Sequence, residues 1–431
     1  MTRVLLSIGA LVALTAGCLY AQDLSGNWQG TLKVGPQELR AIFEIAKGDS
    51  GGWKASMYSI DQSTDAIPVN SVTLEGSSLK LKVNAVRGTF EGKLSADGQS
   101  IAGTWTQFQP LPLELRRATR ETAWPKDPTP HTIQFVTVDK DVKLEVLDWG
   151  GSGRPLVLLT GLGDNAHRYD KFAPKLIGTY HVYGITRRGF GASSAPAAGY
   201  SADRLGDDVL AVIDSLKLNK PVLVGHSIGG EELSSVGSRH PEKVAGLIYL
   251  DAGYSYAYYD RARGDFSVDL VELQRKLDQL LPGKGPADSR PIIRELLETR
   301  LPAFEKELQE QKKQLDATPA ALFAAQAAAP TPTVSAAIIA GEQKYTDIHV
   351  PILAIYALPH DLGPALSGDA AERAAFEARD EVTTGAQAKA FETGLPSAHV
   401  VRLPHANHYV FLSNESDVLR EMNAFLANLP Q

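Results

Sequence analysis

Val222-Leu223-Val224-Gly225-His226-Ser227-Ile228-Gly229-Gly230 is the stretch on which the fold turns. A short apolar run leads into Gly-x-Ser-x-Gly, and a helix-like stretch from Glu231 to His240 follows. In a strand–turn–helix setting this pattern holds a serine on a sharp, strained turn, with its hydroxyl presented at the end of a sheet. The flanking glycines let the chain turn without side-chain collision. Ser227 is therefore the candidate nucleophile. The plainer reading is a tight turn with an idle serine.

Working outward, the same kind of apolar run recurs at 155–159, 182–185, 245–250 and 351–356. None alternates with polar residues, which is how strands buried on both faces of a parallel sheet read. Helix-like stretches such as 202–216 lie between them, so the plan is an α/β open sheet. Residues 253–347 interrupt it for about 95 positions with a charged, helix-rich sequence, read as an inserted helical lid. The lid begins with an unusual density of tyrosine, at Tyr254, Tyr256, Tyr258 and Tyr259. Those rings suit either a pocket mouth or lid packing.

The region before this sheet has a different pattern. From 22 to 118, apolar residues alternate with polar ones, as in Leu79, Leu81, Val83 and Leu111, Leu113, Leu115, with Gly, Asp and Ser clusters between runs. Period-two alternation with such turns predicts a small antiparallel barrel or sandwich of about eight strands. The opening Gly26-Asn27-Trp28 has a faint lipocalin-like look, and Trp28 is expected to be a core plug. A proline-bearing linker at 119–132 separates this all-β domain from the sheet domain at 133–431.

Residues 1–21 read as a secretory signal: Arg3, an apolar core at 4–16, and the small Ala21 before polar residues. The expected location is periplasmic or secreted. The apolar core is shorter than the roughly 20 residues of a membrane span. Leu14-Thr15-Ala16-Gly17-Cys18 also resembles a lipobox, so membrane attachment is expected only through a lipidated Cys18 or a retained signal. Cys18 is the single cysteine. Cleavage at Ala21 leaves none, which excludes a disulfide, a cysteine nucleophile and thiolate metal sites. Net charge is −7 with signs interspersed, arguing against nucleic acid as a partner. No metal or nucleotide constellation stands out, and the loop at 160–163 lacks phosphate-loop spacing.

From 133 to 431 the chain resembles the lid-bearing α/β-hydrolase family of esterases and lipases, through the serine turn and the Arg187-Arg188-Gly189-Phe190-Gly191-Ala192-Ser193 loop. The resemblance implies a cofactor-free serine hydrolase with a Ser–acid–His triad in that chain order. By that order the base is His408, with His405 as alternative, in the last strand-to-helix loop. Asn407 stands where the family usually has glycine. The acid is Asp361, just past the strand at 351–356, with Asp251 as alternative. The oxyanion donors are the backbone N–H groups of Ile228 and Leu162. The expected substrate is a small-molecule carboxylic ester or other acyl compound. C–C hydrolase, aminopeptidase, acyltransferase and cofactor-free haloperoxidase chemistry are rivals on this fold. Outside enzymes, the rival is a surface binding module whose working part is the β domain.

Overall fold

In the computed structural model the described residues are 23–430, except 35–36, 49–50, 62–65, 108–109, 127–130, 318–332 and 362–369. The signal reading at 1–21 and Cys18 lie outside them. The chain divides into two compact units, the first drawn from residues up to 125 and the second dominated by 126–431.

The first unit is a nine-stranded sheet: β1 (Gly26–Val34), β2 (Gln37–Lys47), β3 (Trp53–Ser59), β4 (Ile67–Val69), β5 (Ser71–Glu75), β6 (Ser78–Val83), β7 (Gly88–Leu94), β8 (Ser100–Thr106) and β9 (Pro110–Arg117). Its order is β4-β3-β2-β1-β9-β8-β7-β6-β5. The sheet is antiparallel and nearly closed, as the alternation led one to expect, with the three-residue β4 as a strand beyond the expected eight. The inward positions of the period-two pattern, among them Phe43, Leu81, Phe90, Trp105 and Leu115, form its core. Trp28 is fully buried there. Its indole N–H donates to the Leu24 carbonyl, and the Arg117 guanidinium lies 4.3 Å from its ring centroid.

The second unit carries an eight-stranded sheet: β10 (Thr132–Asp139), β11 (Val142–Gly150), β12 (Pro155–Leu159), β13 (His181–Ile185), β14 (Val222–His226), β15 (Gly246–Leu250), β16 (Ile352–Ala357) and β17 (Ala398–Leu403). The order is β10-β11-β13-β12-β14-β15-β16-β17, and every pairing from β13 to β17 is parallel. β10 and β11 form the antiparallel edge. The expected linker thus ends one residue into β10.

β14, β15 and β16 are buried at every position, which explains their unalternated apolar sequences. Helix α1 (Ala202–Ser215) starts at Ser201, whose hydroxyl accepts from the Arg204 N–H, and it buries Leu205, Val209 and Val212. Helix α2 (Gly229–Arg239) follows β14 directly. The chain runs from β12 to β13 on one side and then to β14 on the other. This reversal makes the carboxyl ends of β12 and β14 the topological switch point of the sheet, the place where open α/β sheets hold ligands.

Residues 253–347, expected as a lid, carry helices at Phe266–Asp278, Arg290–Glu295, Leu301–Ala317 and Thr333–Ile339, with turns and irregular chain at 253–265, 279–289 and 340–347. Leu273, Ile292, Leu296 and Phe304 give it a small core of its own, with Phe266 stacked on Phe304. Among the described residues no helix is long and apolar enough to cross a membrane.

Candidate active site

Ser227 sits between β14 and α2 with φ of +52°. That is left-handed backbone, which a non-glycine residue adopts at a cost and which marks strained functional turns. Two close approaches make the turn possible. A Cβ on Gly230 would lie 2.1 Å from the Ala252 carbonyl oxygen, so only glycine lets α2 start against the end of β15. A Cβ on Gly161 would lie 2.9 Å from a ring nitrogen of His226 and 3.3 Å from the Ser227 Cβ, so glycine brings the loop after β12 onto the turn.

That loop is tied down by Arg187. Its guanidinium makes a buried two-pronged ion pair with Glu232 of α2 and donates to the Thr160 and Gly161 carbonyls. The arginine loop, read from sequence as scaffold, thus fixes the segment bearing Leu162 against the helix behind Ser227. Ile228 is the N-cap of α2, where the first N–H groups have no intrahelical acceptor. The side chains of Leu162 and Ile228 join Phe190, Tyr256 and Val334 in one apolar cluster beside Ser227.

His408 lies in the loop after β17. Its Nδ1 is 2.6 Å from Asp251 Oδ2, and its ring centroid is 4.6 Å from that of His226, the residue before the serine. His226 Nε2 donates to the His408 carbonyl at 3.1 Å. Burial pushes the His226 imidazole down to about 3, and the neighbouring His408 adds to this. His226 is therefore a neutral strut under the histidine loop. On the lid side, Tyr256 packs against Ile228, the residue after the serine. Burial and the nearby Asp251 charge hold the Tyr256 phenol protonated.

The acid beside His408 is Asp251 and not Asp361, which corrects the sequence expectation in favour of its alternative. Asp251 directly follows β15, at φ of +46°, and is fully buried. Its backbone N–H donates to the Ile355 carbonyl, and its Oδ1 accepts from the Ala357 N–H. Asp361 lies four residues past the end of β16, exposed, with its N–H on the Ala406 carbonyl. His405 is likewise turned away: its Nδ1 is 3.8 Å from Glu377.

Sequence reasoning missed His360. Its Nε2 is 2.9 Å from the same Asp251 Oδ2, and its Nδ1 is 2.9 Å from Asp380 Oδ2. Burial raises the Asp251 carboxyl, but the hydrogen bonds from His360 and His408 outweigh it and hold the group below the usual carboxylate range. Burial lowers the His360 imidazole, and the two carboxylates outweigh that too, lifting it to about 9. The only sequence hint was position, since Pro359-His360 directly follows a buried strand.

Among the described residues, two groups of three side chains bring potential ligand atoms within 4.8 Å of one another: Asp251, His360 and His408, and His131 with the buried His167 and Asp170. In the first, both imidazoles point a ring nitrogen at one carboxylate oxygen, the arrangement of shared N–H···O bonds. In the second, His167 Nδ1 is bonded to Asp170, which also accepts from the Trp149 indole.

Comparison with known proteins agrees with this architecture. Among curated relatives, a putative non-heme haloperoxidase of Mycobacterium phage D29 is 27% identical over 30% of this chain and 47% of its own length. A fluoroacetate dehalogenase of a Burkholderia species is 34% identical over 26% of this chain and 38% of its own. A 2-hydroxymuconate semialdehyde hydrolase of Pseudomonas sp. strain CF600 is 31% identical over 30% and 48%. Each match thus spans less than half of the relative's length. Among solved structures, an esterase from Exiguobacterium antarcticum is 19% identical with a TM-score of 0.45, covering 69% of this chain and 100% of that one. The family model described as the alpha/beta hydrolase family matches residues 156–421, more than half of the chain, and the protein belongs to that family.

Proposed function

We propose that the protein is a serine hydrolase that cleaves carboxylic esters through an acyl-enzyme on Ser227. The observation carrying this reading is the 2.6 Å contact of His408 Nδ1 with the buried Asp251 carboxylate, next to a serine held on a left-handed turn. His408 takes the Ser227 proton as the hydroxyl attacks the ester carbonyl. Asp251 keeps the proton on Nδ1 and stabilises the imidazolium that forms. The Leu162 and Ile228 N–H groups receive the developing oxyanion. His408 then gives its proton to the leaving alcohol, and water clears the acyl group by the same steps in reverse roles.

A serine at this turn argues against dehalogenase chemistry, which on this fold uses a carboxylate nucleophile. The apolar cluster of Leu162, Ile228, Phe190, Tyr256 and Val334 supports an apolar acyl or alcohol portion in the substrate. The apolar stretch at 4–16 supports export.

The test is hydrolysis of p-nitrophenyl esters from acetate to palmitate. Turnover with one preferred chain length is expected, because a lid-walled cluster admits a limited acyl length. Folded protein that turns over none of the series would contradict the ester reading and favour C–C or peptide cleavage.

A further inference from the structure

The contacts of His360 leave no room for a neutral ring. Nε2 faces Asp251 Oδ2 at 2.9 Å, and Nδ1 faces Asp380 Oδ2 at 2.9 Å. Both carboxylate oxygens are acceptors, so both ring nitrogens must carry hydrogen; a neutral imidazole would turn a lone pair on one of them. The second carboxylate is itself built in. Asp380 Oδ2 also accepts from the His360 backbone N–H at 2.8 Å, and Asp380 Oδ1 accepts from the Thr384 hydroxyl at 2.6 Å. Both aspartates are more than nine-tenths buried. The Tyr254 hydroxyl, 3.2 Å from Nε2, closes the remaining side. The ionisable groups facing His360 are thus Asp251 at the end of β15, Asp380 on the helix Ala370–Asp380, Tyr254 at the start of the lid, and His408, whose ring centroid is 6.4 Å away.

We infer that His360 is a positioning residue: a fixed imidazolium, seated on Asp380, that divides the Asp251 carboxylate with His408 and thereby keeps His408 a free base to lower pH than an undivided aspartate would. This deepens the triad reading above and rests on it. An aspartate serving His408 alone would put its full charge into favouring the His408 cation. Here the same oxygen already neutralises a cation, and that cation stands one ring away from His408. Both effects disfavour a proton on resting His408. The cost is a weaker hold on the His408 cation in the transition state; the gain is a base that stays deprotonated over a wider acid range.

The experiment follows the ring nitrogens by NMR on the full chain labelled with nitrogen-15 histidine, in wild type, His360→Gln and Asp380→Asn. The glutamine amide can still donate to Asp251 but carries no charge. His360 is expected to hold both ring protons from pH 5 to 8 in wild type. In His360→Gln the His408 midpoint should rise by about one pH unit, and the acid limb of kcat/KM with it. Asp380→Asn should lower the His360 midpoint and, as that cation is lost, raise the His408 midpoint as His360→Gln does, which keeps the test open if His360→Gln does not fold. A neutral His360 at pH 7, or a His408 midpoint unmoved in folded variants, overturns the inference. The NMR titration reads the histidines without any substrate, so a failed ester assay would sink the triad reading and leave this result to be judged separately.

Discussion

Ser227→Ala is expected to cut ester kcat by on the order of 10⁶-fold, the loss seen when the nucleophile of a serine triad is removed. The residual rate would come from the oxyanion donors and binding alone. The fold should survive, because alanine keeps the Cβ that the turn already accommodates beside Gly161. KM should change by no more than a few-fold, since the apolar cluster around Ile228 and Leu162 is untouched. Parallel rates for wild type and variant on p-nitrophenyl esters, with circular dichroism on both, check this. Equal rates would remove Ser227 from the mechanism.

Asp251→Asn is expected to lower kcat by about 10⁴-fold, the cost of presenting an amide where a triad carboxylate belongs. The new amide would offer either an oxygen or an NH₂ to His408 Nδ1, and His360 competes for the oxygen. With the NH₂ facing Nδ1, the proton sits on Nε2, and the base cannot accept from serine. The substitution also strips one of the two carboxylates from the buried His360 cation. A lowered melting temperature should therefore accompany the lost rate. Asp361→Asn, at an exposed position, is expected to leave kcat within a few-fold. Steady-state kinetics on the pair decide between the two acids; the reverse ranking would restore Asp361.

The two acids show how far sequence reasoning could go. Each follows an apolar run that reads as a buried strand, and β15 and β16 are neighbours in register, Leu250 opposite Ile355. Linear order therefore brings both to the same end of the sheet. What separates them is reach. Asp251 turns inward at φ of +46° directly at the end of β15, while Asp361 follows Leu358-Pro359-His360 out to the surface. Nothing in residue type or spacing encodes that difference. His360 was illegible for a related reason: its role depends on Asp251 and Asp380, which lie 109 and 20 residues away in the chain.

The sheet itself was legible, because burial on both faces forces unbroken apolar runs in β14, β15 and β16, and half-burial forces alternation in β6. The serine turn was legible because Gly225 and Gly230 stand where a Cβ would come within 3.0 Å of a backbone carbonyl oxygen. Arg187 sat in a recognisable loop, yet its partners Glu232 and the Thr160 carbonyl come together only in the folded chain.

Covalent labelling with a fluorophosphonate at neutral pH, followed by peptide mapping, tests the central claim most directly. The reagent phosphonylates a serine only where a neighbouring base and an oxyanion site activate it. One adduct per chain is expected, on the peptide containing Ser227, and none on the Ser227→Ala protein. Folded wild type that stays unlabelled, or carries its adduct on another residue, would contradict the account.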